Sequence, residues 1–333
     1  MLISRGYFMK NLYRGLICAA VVAGLSFAYA SVTKCRNFEF DYGFTINDIP
    51  SNASDIRVWV PYPPNTACQR VENINPDIAA GLFSATYDKA HGNKILYYFA
   101  KGRPDSTIRF NIRYNVRRDE YLHKPEMASL KKETILSPEI EQYLKPNRLV
   151  TISPRIKRIA SDITGDKYTV MDKARAIYDY VFENMAYDKS IPGWGNGDTE
   201  RACDIRAGNC TDFHSLFISL CRAAGIPAKF LIGIKLPEEH EGTVGSYHCW
   251  AEFFVEGFGW VPVDISEAWK DKPKKDYYFG TLCEDRIEFS RGRDIILEHS
   301  ANKASLNYFI YPYVEIDGKI FDNVEVSFKF KDM

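Results

Sequence analysis

Three residues in the second half of the chain have the types and order for acyl chemistry through a thiol. They are Cys210 in Gly208-Asn209-Cys210-Thr211-Asp212, His248 in Tyr247-His248-Cys249-Trp250, and Asp264 in Trp260-Val261-Pro262-Val263-Asp264. A thiolate attacks an acyl carbon best when a neighbouring imidazole holds its proton, and that imidazole needs an acceptor to fix its tautomer. For Cys210 the delivering element is an amphipathic helix, because Phe213, Leu216, Phe217, Leu220 and Ala224 recur at helical spacing. Asn209 suits the N-cap, Asp212 the first turn, and Gly225 with Pro227 the stop. A thiol at such a helix start meets unpaired N–H groups and the positive dipole end. Together they favour thiolate and can lower a cysteine pKa from about 8.5 to roughly 3.5–7.5. The Cys210 N–H is also a natural donor to a developing oxyanion.

His248 sits on a central strand, and Asp264 lies on the next strand of a hairpin turning at Glu256-Gly257-Phe258-Gly259. Side chains alternate faces, so the register decides whether the two can cooperate. A turn at Gly257-Phe258 alone would put them on opposite faces. Pairing Val255 with Gly259 instead sets Trp250 against Asp264 and leaves His248 diagonally adjacent. An odd-length connection or a bulge is therefore predicted, and glycines at 257 and 259 make it cheap.

Other groups compete for roles. His214 follows Cys210 by one helical turn but has no obvious carboxylate to orient it, so it reads as a supporting or structural residue rather than the base. Asp212 reads as a first-turn carboxylate that steadies the helix. Cys203, Cys210, His214 and His248 lack the spacing of a compact zinc site, so no metal and no cofactor is expected. Glu252 is expected to pair with Arg222 or to lie near the cleft. The arginine-rich stretch Arg286 to Asp294 reads as a solvated, salt-bridged turn, with recognition of an acidic substrate group as the lesser alternative. The loop Pro192 to Asp198 is glycine-rich but lacks the lysine of a phosphate-binding loop, which argues against nucleotide binding.

The N-terminus reads as an export signal. Lys10 and Arg14 precede the apolar stretch Leu16 to Phe27, and Ala28-Tyr29-Ala30 offers a cleavage site. The apolar run is short for a membrane span, so a cleaved signal over residues 1–30 is expected and an uncleaved anchor is the alternative. Met9 looks the more natural start, and Cys18 lacks the context of a lipid-modified cysteine. The expected location is periplasmic or secreted, without stable membrane insertion after cleavage. Removing the leader leaves seven of eight cysteines, an odd count that implies at least one free thiol in an oxidising compartment. Cys35 and Cys68 are the pair to test first for a disulfide; Cys221 and Cys249 read as plain buried thiols. Lysine plus arginine equals aspartate plus glutamate at 43 each, so no global field draws the chain to nucleic acid.

Phe38 to Ile46 and Ile108 to Val116 alternate apolar with polar residues, the mark of half-buried strands. An antiparallel β-sandwich-like domain is predicted over residues 31–120, with a charged linker over 118–135. The period then becomes helical. Ser153-Pro154 starts a helix to Thr164, and Thr169 with Asp172 starts another to about Met185; a short helix covers Arg201 to Ile205. Strands return at Lys229 to Lys235, Tyr247 to Val255, Gly259 to Ile265, Ile310 to Ile316 and Lys319 to Phe330. Helices followed by antiparallel strands describe an α+β core over residues 121–333.

The ordered set Gly208 to Phe213, Cys221-Arg222-Ala223-Ala224-Gly225-Ile226-Pro227-Ala228, Tyr247 to Glu252 and Gly259 to Asp264 resembles the bacterial transglutaminase-like superfamily, over about Tyr168 to Asp264. The resemblance implies a papain-like α+β fold in which Cys210 is the nucleophile, His248 the base and acid, and Asp264 the orienting carboxylate. It also implies acyl transfer or hydrolysis on amide bonds of a protein or peptide substrate, through a thioester that water or an amine resolves. Trp194 is then a candidate second oxyanion donor or a wall of the acyl tunnel, with a simple packing role as the other and favoured reading. A non-catalytic binding or envelope-interaction module that keeps the fold is the other reading, and the intact set of three disfavours it.

Overall fold

The computed structural model describes residues 33–333 except 79–81, 103–104, 123–135 and 304. The expected export signal lies outside the described residues, as does most of the expected linker. The N-terminal strands are β1 (Cys35–Ile46), β2 (Asp55–Pro61), β3 (Gln69–Ile78), β4 (Leu82–Tyr87), β5 (Lys94–Lys101) and β6 (Ile108–Asp119). Strands β1 and β6 pair antiparallel with Phe38 opposite Val116 and Phe40 opposite Tyr114, so both apolar sets fall on one face. Every one of Phe38, Phe40, Tyr42, Phe44, Ile46, Ile108, Phe110, Ile112, Tyr114 and Val116 is buried.

Helices α1 (Pro154–Thr164), α2 (Val170–Asn184), α3 (Thr199–Ile205) and α4 (Cys210–Ala223) follow. Each starts on a side-chain cap: Ser153, Thr169, Asp198 and Asn209 accept backbone N–H groups that the first turn leaves orphaned. The chain continues through β7 (Ala228–Lys235), β8 (Glu241–Val244), β9 (His248–Val255) and β10 (Gly259–Val263). A short helix α5 (Ile265–Lys270) precedes β11 (Arg286–Arg291), β12 (Tyr313–Ile316), β13 (Lys319–Ile320) and β14 (Val324–Asp332).

Three larger sheets result. Two have five strands, in the orders β8-β14-β1-β6-β3 and β13-β12-β2-β5-β4; the third has four, in the order β10-β9-β7-β11. The first two form the expected antiparallel sandwich, with Tyr98 edge-on to Phe110 at 5.1 Å. Elsewhere on the same inner face Phe40, Tyr42 and Tyr114 pack on Phe289 of β11. One continuous apolar core therefore runs from the sandwich into the helical half.

Two expectations change. Strands β12 and β14, expected within the second segment, pair with β2 and β1, so hydrogen bonding crosses the boundary placed near residue 120. Cys35 and Cys68 are free, as are the other five cysteines of the described chain. The reason is register. Cys35 lies opposite Asp119 of β6, while the Asp119 N–H donates to the Cys68 carbonyl on the other side. Two strand spacings, about 9–10 Å, separate β1 from β3, beyond the roughly 7 Å that a disulfide bridges.

Candidate active site

Helix α4 is not the two-faced helix its spacing suggests. All residues from Cys210 to Arg222 are buried, because α1 and α2 cover one side and β7 and β9 the other. Its start is held by a reciprocal cap: the Asn209 side chain accepts from the Thr211 N–H at 2.9 Å, and Asp212 Oδ2 accepts from the Asn209 N–H at 2.9 Å. Asp212 does more than cap. Its carboxylate also accepts from the Gly195 N–H at 2.7 Å and the Gly197 N–H at 3.2 Å, which binds the glycine-rich loop to the helix start. Cys210 occupies the first helical position and is 2 % exposed.

The hairpin has the predicted odd connection. Val255 pairs with Gly259 and Ala251 with Val263, across Glu256-Gly257-Phe258 with Gly257 at φ +79°. Asp264 stands one residue past β10, as N-cap of α5, rather than on the strand. Its Oδ2 lies 2.7 Å from His248 Nε2, and its Oδ1 accepts from the Glu267 N–H and the Ser266 hydroxyl, both at 3.1 Å. With Nε2 engaged, Nδ1 is the ring nitrogen left for Cys210, whose thiol is a side-chain hydrogen-bond partner of His248.

The electrostatics favour an ion pair. Burial alone would push the Cys210 thiol up, but the Cys249 thiol and the His248 hydrogen bond and charge pull it well below its ordinary value near 9. Burial would depress His248; Asp264, by charge and hydrogen bond, and then Cys210 raise it to about 9. Asp264 is held well below the usual carboxylate range, since His248 and Arg286 outweigh the effect of burial. Cys249, expected as a plain buried thiol, instead lies beside Cys210. Burial and the neighbouring sulfur push it well up, so it stays protonated and can donate.

His214 has its own commitments. Nδ1 faces the Cys210 carbonyl at 2.8 Å, and Nε2 accepts from the Ile265 N–H at 3.0 Å, a pattern that needs the neutral ring. Burial pushes His214 down in agreement. A carboxylate is nearby after all, since Asp264 Oδ1 lies 3.7 Å from Nε2. Trp194 is 39 % exposed on the loop, with Lys189 Nζ 5.1 Å from its ring centroid.

Two sequence expectations fail here. Glu252 pairs with Lys229 at 2.8 Å, directly opposite it on β7, while Arg222 is taken up by the Ala228 and Lys145 carbonyls and by Asn147. The arginine-rich stretch is no solvated turn. It is strand β11 and its exit, with Arg286 fully buried and Arg293 2 % exposed. Arg286 Nη1 reaches Asp264 Oδ2 at 3.2 Å, and Arg293 joins Ser215 of α4 to the Asn196 carbonyl. Both belong to the surroundings of the site, and only the arginine density of the stretch hinted at them. Tyr247 is a third addition: its hydroxyl lies 3.0 Å from Asn209 Nδ2 and from Thr211 Oγ1.

An α+β core with a cysteine at a buried helix start and an adjoining antiparallel hairpin defines a class. Residues 157–265 match the family model of the transglutaminase-like superfamily. An uncharacterized protein of Haemophilus influenzae is 28% identical over 346 residues, covering 91% of this chain and 94% of its own. The uncharacterized protein YebA of Bacillus subtilis is 26% identical over 147 residues, 38% of this chain and 20% of YebA. Among solved structures, a candidate cysteine protease from Cytophaga hutchinsonii superposes with a TM-score of 0.58 at 18% identity, covering 90% of this chain and 98% of its own, which is a likeness of fold. Among the described residues no helix is long and apolar enough to cross a membrane.

Proposed function

We propose that this protein is an exported cysteine enzyme that carries out acyl transfer or hydrolysis on amide bonds of proteins or peptides. Cys210 attacks the carbonyl carbon. His248, holding its proton on Nδ1, gives that proton to the leaving ammonia or amine, and a thioester remains on Cys210. Water or a primary amine then resolves the thioester as His248 takes back a proton. Asp264 keeps the imidazole in one tautomer and offsets its charge. The Cys210 N–H, at a helix position with no acceptor of its own within the helix, is suited to the oxyanion. Trp194, beside this helix start on a tethered loop, is offered as a wall of the acyl channel.

The observation that carries this reading is the buried 2.7 Å contact between His248 Nε2 and Asp264 Oδ2. It leaves one imidazole nitrogen free beside a thiol at a helix N-terminus. The test is to incubate the mature protein with a glutamine-rich protein, with and without a primary amine, and to weigh the products. Amine incorporation, deamidation or backbone cleavage that disappears in Cys210→Ala supports the reading. No product under any condition, or product that persists in Cys210→Ala, overturns it.

A further inference from the structure

The carboxylate of Asp264 is shared. His248 takes Oδ2 at 2.7 Å from strand β9, and Arg286 takes the same oxygen at 3.2 Å from strand β11, both groups fully or almost fully buried. The two strands are not neighbours, since β7 lies between them. Gly233 makes the approach possible. It stands opposite His248 on one side and Glu288 on the other, at an irregularity in the β7–β11 register. A Cβ at Gly233 would lie 1.9 Å from the Ile287 carbonyl oxygen, so β11 closes on β7 only because that atom is missing.

Ladder partners share a face, which puts His248, Gly233, Lys235 and Arg286 on one side of the sheet. Trp250, two residues along from His248, shares that side, and the guanidinium lies over its ring at 5.0 Å. The remaining donors of Arg286 find little else. Nη2 meets Cys283 Sγ at 3.3 Å, and Nε has no partner among the described residues. A guanidinium buried so completely for one carboxylate oxygen and one sulfur is a poor stabilising device, because desolvation offsets most of the attraction. Its placement on the oxygen that orients His248 calls for another explanation.

We propose that Arg286 is a positioning residue of this site: it fixes the Asp264 carboxylate against His248 and balances its charge, so that the thiolate–imidazolium pair can exist in a closed interior. The proposal rests on the reading of Cys210 as nucleophile. The charge count is the core of the argument. A Cys210 thiolate, a His248 imidazolium, the Asp264 carboxylate and the Arg286 guanidinium sum to zero. Without Arg286 the group carries one uncompensated negative charge away from water, and taking up a proton on the thiolate is the direct relief.

The other groups facing this cluster do not replace it. His214, from α4, is committed as a neutral ring. Ser266 and the Glu267 N–H occupy Oδ1. Tyr278 and Cys283, which also face Arg286, supply no positive charge, and Lys235 and Lys270 reach Glu267 at 3.3 and 2.8 Å rather than Asp264.

The test is the rate of iodoacetamide alkylation of Cys210 against pH, followed by peptide mass, for the wild type, Arg286→Met and Arg286→Lys. Methionine keeps an unbranched apolar stem and removes the charge and the guanidinium that lies over Trp250; lysine keeps the charge but not the planar fork. Arg286→Met is expected to move the acid limb upward by about one pH unit, a roughly tenfold slower reaction on that limb. Arg286→Lys is expected to move it in the same direction by less. A merely structural arginine would lower the melting temperature and leave the limb where it is, and that result in the folded variants overturns the proposal. If Arg286→Met does not fold, Arg286→Lys decides alone: a shifted limb supports the proposal and an unshifted one overturns it. A wild type without fast, Cys210-specific alkylation at mildly acid pH would overturn the nucleophile reading itself, an outcome distinct from an unmoved limb.

Discussion

His214 Nδ1 lies 2.8 Å from the Cys210 carbonyl oxygen, one helical turn along α4 from the thiol-bearing residue. With Nε2 accepting the Ile265 N–H, neither nitrogen is free to take a proton from sulfur. Its work is to tie α4 to the start of α5. His214→Leu leaves the Ile265 N–H buried without an acceptor, at a cost of about 1–3 kcal/mol. Chemical denaturation should show that loss, while alkylation of Cys210 keeps an acid limb below pH 8.5. Loss of that limb in a folded His214→Leu would reassign the base.

Asp212 ties the glycine-rich loop to the same helix start. Its two oxygens accept three backbone N–H groups, from Gly195, Gly197 and Asn209. Asparagine offers one acceptor oxygen and turns an NH2 toward donors, so Asp212→Asn should orphan at least one N–H and cost about 1–3 kcal/mol. Protease cutting between residues 191 and 198 should quicken in the variant, read by peptide mapping. Unchanged stability and cutting would show that the loop is held by something else.

The depressed Cys210 thiol has a consequence for stability. A thiol whose folded value lies below its ordinary value near 9 binds fewer protons when folded than when unfolded. Its contribution is therefore fully present above about pH 9 and is lost as pH falls through the folded value. His248, raised to about 9, works in the opposite sense: its contribution is full below about pH 6.5 and is lost as pH rises through 9. The stability difference between wild type and Cys210→Ala should accordingly shrink as pH is lowered from 9 toward the acid limb. Melting temperatures of the two proteins across that range check it, and a difference independent of pH would contradict the ion pair.

Local signals made much of this architecture legible in the sequence. Ser153, Thr169 and Asn209 are caps whose chemistry is complete within a turn of each helix, so the helix starts could be read directly. The hairpin register followed from Gly257 and Gly259 and from the parity that His248 and Asp264 impose. The remaining features are set by long-range pairing, which no local signal carries. Nothing near Val324–Asp332 announces that it lies beside β1, 296 residues away at Arg36 and Asp332. Glu252 meets Lys229 rather than Arg222 because the β7–β9 register sets them opposite one another. Arg286 looked solvated because charge density is a surface signal, whereas its depth comes from the strand that Gly233 admits.

The thiolate itself can be observed. Ultraviolet difference absorbance of wild type minus Cys210→Ala, titrated across the acid and neutral range, counts the thiolate on this one residue without any substrate. One equivalent appearing well below pH 8.5, and displaced upward in His248→Gln, is the expected result. A thiolate that appears only near or above pH 8.5, unmoved by the loss of His248, would contradict the buried ion pair on which the proposed chemistry stands.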